Sequence, residues 1–567
     1  HSTNASPPSA CLRTFSKVLG AAKTVLRNFS VSSVTDFELI EHVFEVNKMD
    51  SQRPLTTKEL LDMVEDIQFW EADIYITPPA DGHESEEDSE DDESPIVDIN
   101  HLSGRQLEAQ ATGRILTVNG LVDFGTEENL SDNDDNEDWD AEGDLPLAQI
   151  ARKKTSEGKW EKTDLRSSFP VFTPPAGTPP VHSDAVSCFE SFLNMDILTY
   201  LKNMFEKYAK QRGDHNFQTN VNELRCFIAI LYVSGHLQVS RWRMLWEVDT
   251  DTYNPLIANS MRRNRFETLK RFAHCADNDN LAQGDKFAKV RPLFDKFNKI
   301  FLEYAPLEER LSLDESMVPY FGRHGAKQFI KGKPIRYGYK VWSLCNPAGY
   351  LIQFHPYQGK ENDRPHMELG LGGSVVMTLV SKLPNDKPFK IYSDRYFSSL
   401  KLVQLLQNMG FGYTGTIQPN RTEKCPLPSK AVVKKSPRGT YDYLTDTNTN
   451  ISITSWNDNT PFLIISSCDT VLPVREVNRW IWSEKKKLPV PQPNVVGQYN
   501  KFMGGADRME QNVNNYRINI RSKKWWWTLF VFCLDTAMHN AWQFYRRQNG
   551  CEKVDFLKFR REITNLY

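Results

Sequence analysis

At 567 residues, 40% of them hydrophobic, the chain exceeds the size at which a single core stops growing, so three or four units are expected. Its net charge of −4 hides a division: residues 1–150 hold 9 Lys and Arg against 33 Asp and Glu, net −24, while residues 151–567 hold 60 against 40, net +20. A basic body suits a phosphate backbone, nine cysteines without a CxxC argue against a disulfide framework or a zinc finger, and no apolar run reaches the ~18–20 residues of a membrane span.

Residues 1–48 are rich in Ser, Thr and Asn and read as an upstream or non-native segment, with Met49 a candidate start. Region 49–188 is acidic and expected to be largely disordered. Within it Leu60, Leu61, Val64 and Ile67 give a short amphipathic pattern, a candidate partner-binding helix. The runs HESEEDSEDDESP (83–95) and SDNDDNEDWDAEGD (131–144) lack the apolar surface to order themselves, and Ser85, Ser89 and Ser94 are candidate kinase acceptors. A Pro-rich linker, 169–183, closes the region, and neither a signal peptide nor a membrane anchor is evident.

From 189 to 303, runs such as FESFLNMDILTYLKNMFEKYAK and VNELRCFIAILYV predict a helical domain for DNA binding or dimerisation. Arg241, Arg243, Arg262, Arg263, Arg265, Lys270 and Arg271, interleaved with Trp242 and Trp246, are either its DNA or dimer surface or ordinary helix exteriors over an aromatic core.

The first part of the core, 304–420, begins with RLSLDESMV, YGYKVWSLCN and GYLIQFHPYQG, three strand-like runs with a turn at Pro347-Ala348-Gly349. A helix-like SVVMTLVSKLP, the strand Phe389–Ser393, a helix capped by Ser398 or Ser399 and the strand YTGTIQ follow. Hairpin-linked strands followed by strands alternating with helices imply a mixed α/β sheet with Asp314 and Asp394 on neighbouring strands. Segment 421–490 is β-rich, an insertion in which Lys434, Lys435, Arg438 and Lys485–Lys487 are candidate DNA contacts, the last three alternatively a nuclear-import signal. Residues 491–567 return to the core and end in helices.

Three aspartates stand at the ends or fixed points of these elements: Asp314 in RLSLDESMVPY, Asp394 in FKIYSDRYFSS and Asp507 in MGGADRMEQN. Taken singly, such a residue is ordinarily a cap or turn aspartate. Together they form an oxygen-only donor set for hard divalent cations, of the kind that holds two metals about 3.5–4 Å apart for phosphoryl transfer. Arg323, Lys327, Lys331, Lys333, Arg336 and Lys340 follow Asp314 among glycines, without P-loop spacing, as candidate contacts to a DNA backbone. After Asp507, Arg517, Arg521, Lys523 and Lys524 lie beside Trp525–Trp527, a pattern for distorted or unpaired DNA, although core packing explains two of the tryptophans more simply.

The segments SLDESMVPYFGRHGAKQFIKGKPIRYGYKVW (312–342), IYSDRYFSSLKLVQLL (391–406), GYTGTIQPNRTEKCP (412–426) and YNKFMGGADRMEQNVNNYRINIRSKKWW (499–526) resemble the piggyBac transposase family and its host-domesticated derivatives, from about Phe189 to Tyr567. The resemblance implies a ribonuclease-H-like catalytic core with a β-rich insertion, preceded by a helical domain and a disordered acidic N-terminal region. It also implies catalysis by Asp314, Asp394 and Asp507, with Glu510 at a further acidic position, binding two Mg²⁺ ions for which Mn²⁺ can substitute. The implied activity is cleavage and strand transfer of double-stranded DNA at TTAA sites by a nuclear homodimer. The alternative is a catalytically idle DNA- or chromatin-binding protein whose acidic region recruits partners. Family members commonly end in a cysteine-rich zinc domain that reads transposon ends, a cluster these 567 residues do not contain.

Overall fold

The computed structural model describes residues 71–76, 111–117, 120–124, 158–166, 169–174, 182 and 184–567, less 238, 250, 323, 331–334, 360–364, 482–484 and 549. The expected helix at 60–67 and both acidic runs lie outside the described residues. The chain divides into two units. The first contains an antiparallel sheet in the order β1 (Glu71–Ile76), β2 (Ala111–Thr117), β3 (Gly120–Phe124), so three strands fall in a region whose composition predicts little order.

The second unit is a ten-stranded mixed sheet with helices. Its strands are β4 (Trp160–Glu161), β5 (Arg310–Pro319), β6 (Lys327–Phe329), β7 (Tyr337–Cys345), β8 (Leu351–Pro356), β9 (Lys390–Ser393), β10 (Gly412–Ile417), β11 (Tyr441–Asp446), β12 (Ile451–Asn457) and β13 (Pro461–Ser466). Their order is β4-β11-β12-β13-β10-β9-β5-β7-β6, with β8 also on β7; β9 runs parallel to both β5 and β10, and the other pairings are antiparallel. The 421–490 segment therefore does not stand apart: β13 takes the edge that β10 leaves open, and β11 and β12 extend the same sheet. Only β14 (Arg475–Ile481) and β15 (Lys486–Gln492) form a sheet of their own.

Local sequence explains most boundaries. The first long helical run breaks at Leu193-Asn194 into helices Ala185–Phe192 and Met195–Gln211, because Asn194 caps the second by accepting the Ile197 amide. Ser399, not Ser398, caps Leu400–Asn408, accepting the Leu402 N–H at 3.2 Å. The Pro347-Ala348-Gly349 turn joins β7 to β8, with Gly349 at φ +96°, a conformation that suits glycine.

The helix Trp527–Tyr545 is buried almost throughout and carries Asp535, His539, Asn540 and Gln543 into the interior. Two amide side chains from different helices satisfy the outer edge of β8. Asn540 accepts from the Leu351 N–H and donates to its carbonyl at 2.9 and 2.8 Å, and Asn298 does the same for Phe354, both bonds at 2.9 Å. The buried Arg560 donates to the Tyr232 carbonyl at 3.1 and 2.9 Å and lies 3.5 Å from Asp535, joining the helical region to the last helices.

In the helical region the basic residues divide between the two readings. Arg265 pairs with Glu223 at 2.6 Å, Arg243 with Glu267 at 2.8 Å, and Lys270 is buried over the Trp242 ring at 5.1 Å, whereas Arg241, Arg262, Arg263 and Arg271 are exposed. No helix of the described residues is long and apolar enough to cross a membrane.

Candidate active site

The site forms where β9 stops pairing with β5. Their last matched pair is Leu313 with Ser393, so Asp314 and Asp394 each follow it directly, on neighbouring parallel strands that lie about 4.8 Å apart. Asp314 sits in mid-strand relative to β7, opposite Ser343, and its Oδ1 accepts the Glu315 N–H at 2.8 Å. Asp394 opens the turn into the next helix: its Oδ1 accepts the Tyr396 N–H at 2.9 Å, and its carbonyl accepts from Ser398 Oγ at 3.1 Å. An aspartate-capped turn is thus part of what Asp394 does.

Asp507 lies in the first turn of helix Gly505–Asn515, where an N-terminal dipole favours a carboxylate. Gly505 lets that helix approach the sheet, since a Cβ there would stand 2.5 Å from the Asn346 carbonyl and closer still to Ser312 Oγ on β5. One turn on, Glu510 Oε1 accepts the Met317 N–H of β5 at 2.7 Å, fixing the helix to the strand that carries Asp314.

Two neighbouring groups register the carboxylates electrostatically. Burial, and then the negative charges of Asp314, Glu510 and Asp507, drive the Cys345 thiol far above its ordinary range. Tyr499, on helix Asn494–Phe502, hydrogen-bonds Thr416; burial raises its hydroxyl, and Asp394 and Asp314 add to the rise. Behind Asp394, burial raises the Tyr413 hydroxyl to about 12 despite its bonds to Ser393 and Ser398. Both tyrosine hydroxyls therefore stay protonated at neutral pH.

Among the described residues, no three His, Cys, Asp or Glu side chains are gathered closely enough to hold one metal ion. Magnesium is commonly held by one or two carboxylates with water and substrate phosphate completing its shell. Asp314, Asp394 and Asp507 are all carboxylates, and oxygen donors of this kind suit a hard divalent cation.

The basic candidates are dispersed. Arg323, Lys331 and Lys333 lie outside the described residues. Lys327 is half-buried on β6, and burial lowers its basicity. Arg336 is half-buried, while Lys340 places its ammonium 4.1 and 4.7 Å from the Trp342 and Tyr396 rings and 4.0 Å from Glu315. Arg517 is half-buried; burial lowers its basicity, opposed by Asp535 and then Glu510. Arg521 and Lys523 are exposed, and Lys524 is half-buried. Trp526 and Trp527 are core residues, whereas Trp525 is half-buried and stacks on His324 at 4.1 Å. Sequence reasoning did not single out Cys345 or Tyr499; Tyr499, eight residues before Asp507 in YNKFMGGAD, was legible as an aromatic on the approach to the site.

A large mixed sheet with acidic side chains at a parallel strand pair and a helical region ahead of it has the fold of a DNA transposase: 70% of the chain superposes on 82% of a piggyBac transposase solved as a synaptic complex with hairpin DNA, with a TM-score of 0.57 and 22% identity. The family model described as "Transposase IS4" matches residues 184–542. Human PiggyBac transposable element-derived protein 3 is 37% identical over 91% of this chain and 88% of its own length, and human PiggyBac transposable element-derived protein 2 is 36% identical over 87% and 82%. The chain belongs to the piggyBac transposase family and is similar to its transposable element-derived members.

Proposed function

We propose that the protein is a divalent-metal-dependent DNA strand-cleaving and strand-transferring enzyme of the piggyBac type, acting at TTAA sites through a ribonuclease-H-like core. The observation that carries this reading is the coincidence of Asp314 and Asp394 directly after the last β5–β9 pair, with Asp507 carried on a helix seated against β5. Bound there, Mg²⁺ or Mn²⁺ would activate the attacking oxygen and stabilise the leaving one. The chain's own part is positional. Met317 and Glu510 hold the Asp507 helix in register, the Tyr396 N–H and Ser398 fix the turn of Asp394, and protonated Tyr499 is a hydroxyl donor near Asp394 and Asp314.

The solved relative is a synaptic complex with hairpin DNA, which supports DNA as the substrate; a homodimer is proposed with it. The +20 charge of residues 151–567 supports the same partner, and a nuclear location follows from it. The second reading, an idle DNA- or chromatin-binding protein with the acidic region recruiting partners, draws on the transposable element-derived relatives. Magnesium-dependent nicking and joining of TTAA duplexes, lost in Asp394→Asn while binding persists, supports the enzyme. Equal binding without cleavage by either form supports the second reading.

A further inference from the structure

The β14–β15 ribbon is not needed to build the carboxylate site, yet it is firmly rooted. The Trp456 indole donates to the Pro491 carbonyl at 2.9 Å, Val490 enters the cluster of Trp456, Ile464, Val495 and Val496, and Arg479 lies 3.4 Å from Asp458. From that root the ribbon runs out to Trp480, which is 44% exposed, and to Lys485, Lys486 and Lys487, all exposed.

Its β15 edge is closed to another strand, and part of its β14 edge is engaged. Pro489 and Pro491, opposite Asn478 and Glu476, have no N–H to offer along β15. The Trp480 carbonyl on β14 already accepts from Arg438 Nη1 at 2.9 Å. Lys485 adopts φ +48°, a left-handed conformation usually left to Gly or Asn, and such strain tends to persist where a side chain is used.

We infer that the tip of this ribbon is a DNA-backbone grip, with Lys485–Lys487 on phosphates and Trp480 against the groove wall. A two-stranded ribbon has the width of a major groove, and three consecutive lysines, against the single Glu484 of the connection, complement a polyanion. The prolines remove strand addition along β15, another common use of an exposed ribbon.

The inference rests on the DNA reading above, and one titration separates the two. Binding of the full chain to a TTAA-centred 30-bp duplex is followed by fluorescence anisotropy from about 50 to 300 mM NaCl, a range over which phosphate contacts register. Wild type is compared with Lys485→Ala/Lys486→Ala/Lys487→Ala and with Trp480→Ala. Each lost phosphate contact lowers the log–log salt slope by about 0.9, so the triple variant should lose up to about 2.7 and bind roughly tenfold more weakly, or worse, at 0.1 M salt. Trp480→Ala should weaken binding with the slope unchanged. A salt-dependent wild type matched by a triple variant of the same slope and affinity overturns the ribbon assignment and leaves the DNA reading standing. No binding by wild type overturns both. Tighter binding by the triple variant also overturns the assignment.

Discussion

Replacing Gly505 by Ala tests the site geometry without touching a carboxylate. The added Cβ meets the Asn346 carbonyl at 2.5 Å and Ser312 Oγ closer still, so the helix must retreat by about 1 Å to restore ordinary contact of ~3.5 Å. Overpacking of this kind costs ~1–3 kcal/mol, offset by no more than the ~1 kcal/mol that Ala gains over Gly in a helix. The expected net loss, read from the urea midpoint, is thus up to about 3 kcal/mol. Because Asp507 stands two residues along the same helix, its carboxylate moves as well, and a 1 Å misplacement costs about 10²-fold in rate. Duplex binding should be unchanged. Adding Ser312→Ala removes one clash and leaves the backbone one at Asn346, so it should restore only part of both losses. If Gly505→Ala keeps the wild-type urea midpoint and cleavage rate, the seating of the Asp507 helix on β5 does not set the site.

Removing the amide of Asn540 strands the Leu351 N–H and carbonyl inside the protein, so Asn540→Ala should lower stability by about 2–4 kcal/mol in chemical denaturation; a change under about 1 kcal/mol would refute its role at the β8 edge. Glu510→Gln keeps an acceptor for the Met317 N–H and should retain cleavage within about tenfold, whereas Glu510→Ala should cost ~1–3 kcal/mol of stability; loss of cleavage as complete as in Asp507→Asn would make Glu510 a ligand instead. His539 accepts from Asn512 at 3.2 Å, and burial lowers its pKa to about 3. The unfolded chain therefore binds a proton below about pH 6.5 that the folded ring refuses, so His539 alone contributes a loss of ~2 kcal/mol between pH 7.5 and 5, against the opposite contribution of Asp535, whose carboxyl burial raises to about 6. On acidification His539→Gln should lose ~2 kcal/mol less stability than wild type, read from urea midpoints at the two pH values, and an identical slope in the two proteins would place the titration elsewhere.

What the sequence made legible was local. Alternation in RLSLDESMV and FKIYS located β5 and β9, and the turn chemistry of Pro347-Ala348-Gly349 and the Ser399 cap fixed element ends. Non-local pairing was not legible. Nothing in 421–490 shows that β13 would take the edge of β10, because strand periodicity carries no record of its partner. Asn298 and Asn540 look like ordinary polar positions on helices until β8 is seen against them. Lys340 reads as one more lysine in a basic loop, yet the Trp342 and Tyr396 rings and Glu315 surround it. Long cationic side chains fold onto apolar faces in ways that spacing does not encode.

If the carboxylates at the β5–β9 pair form a metal-dependent catalytic centre, a single gel shows it. Full-length wild type, Asp314→Asn, Asp394→Asn and Asp507→Asn are incubated with a TTAA duplex with and without Mg²⁺, with binding measured on the same samples. Cleavage is expected only from wild type and only with Mg²⁺, with all four proteins binding the duplex alike. Cleavage that survives any of the three substitutions, or wild type that binds in Mg²⁺ without cutting, would contradict this expectation.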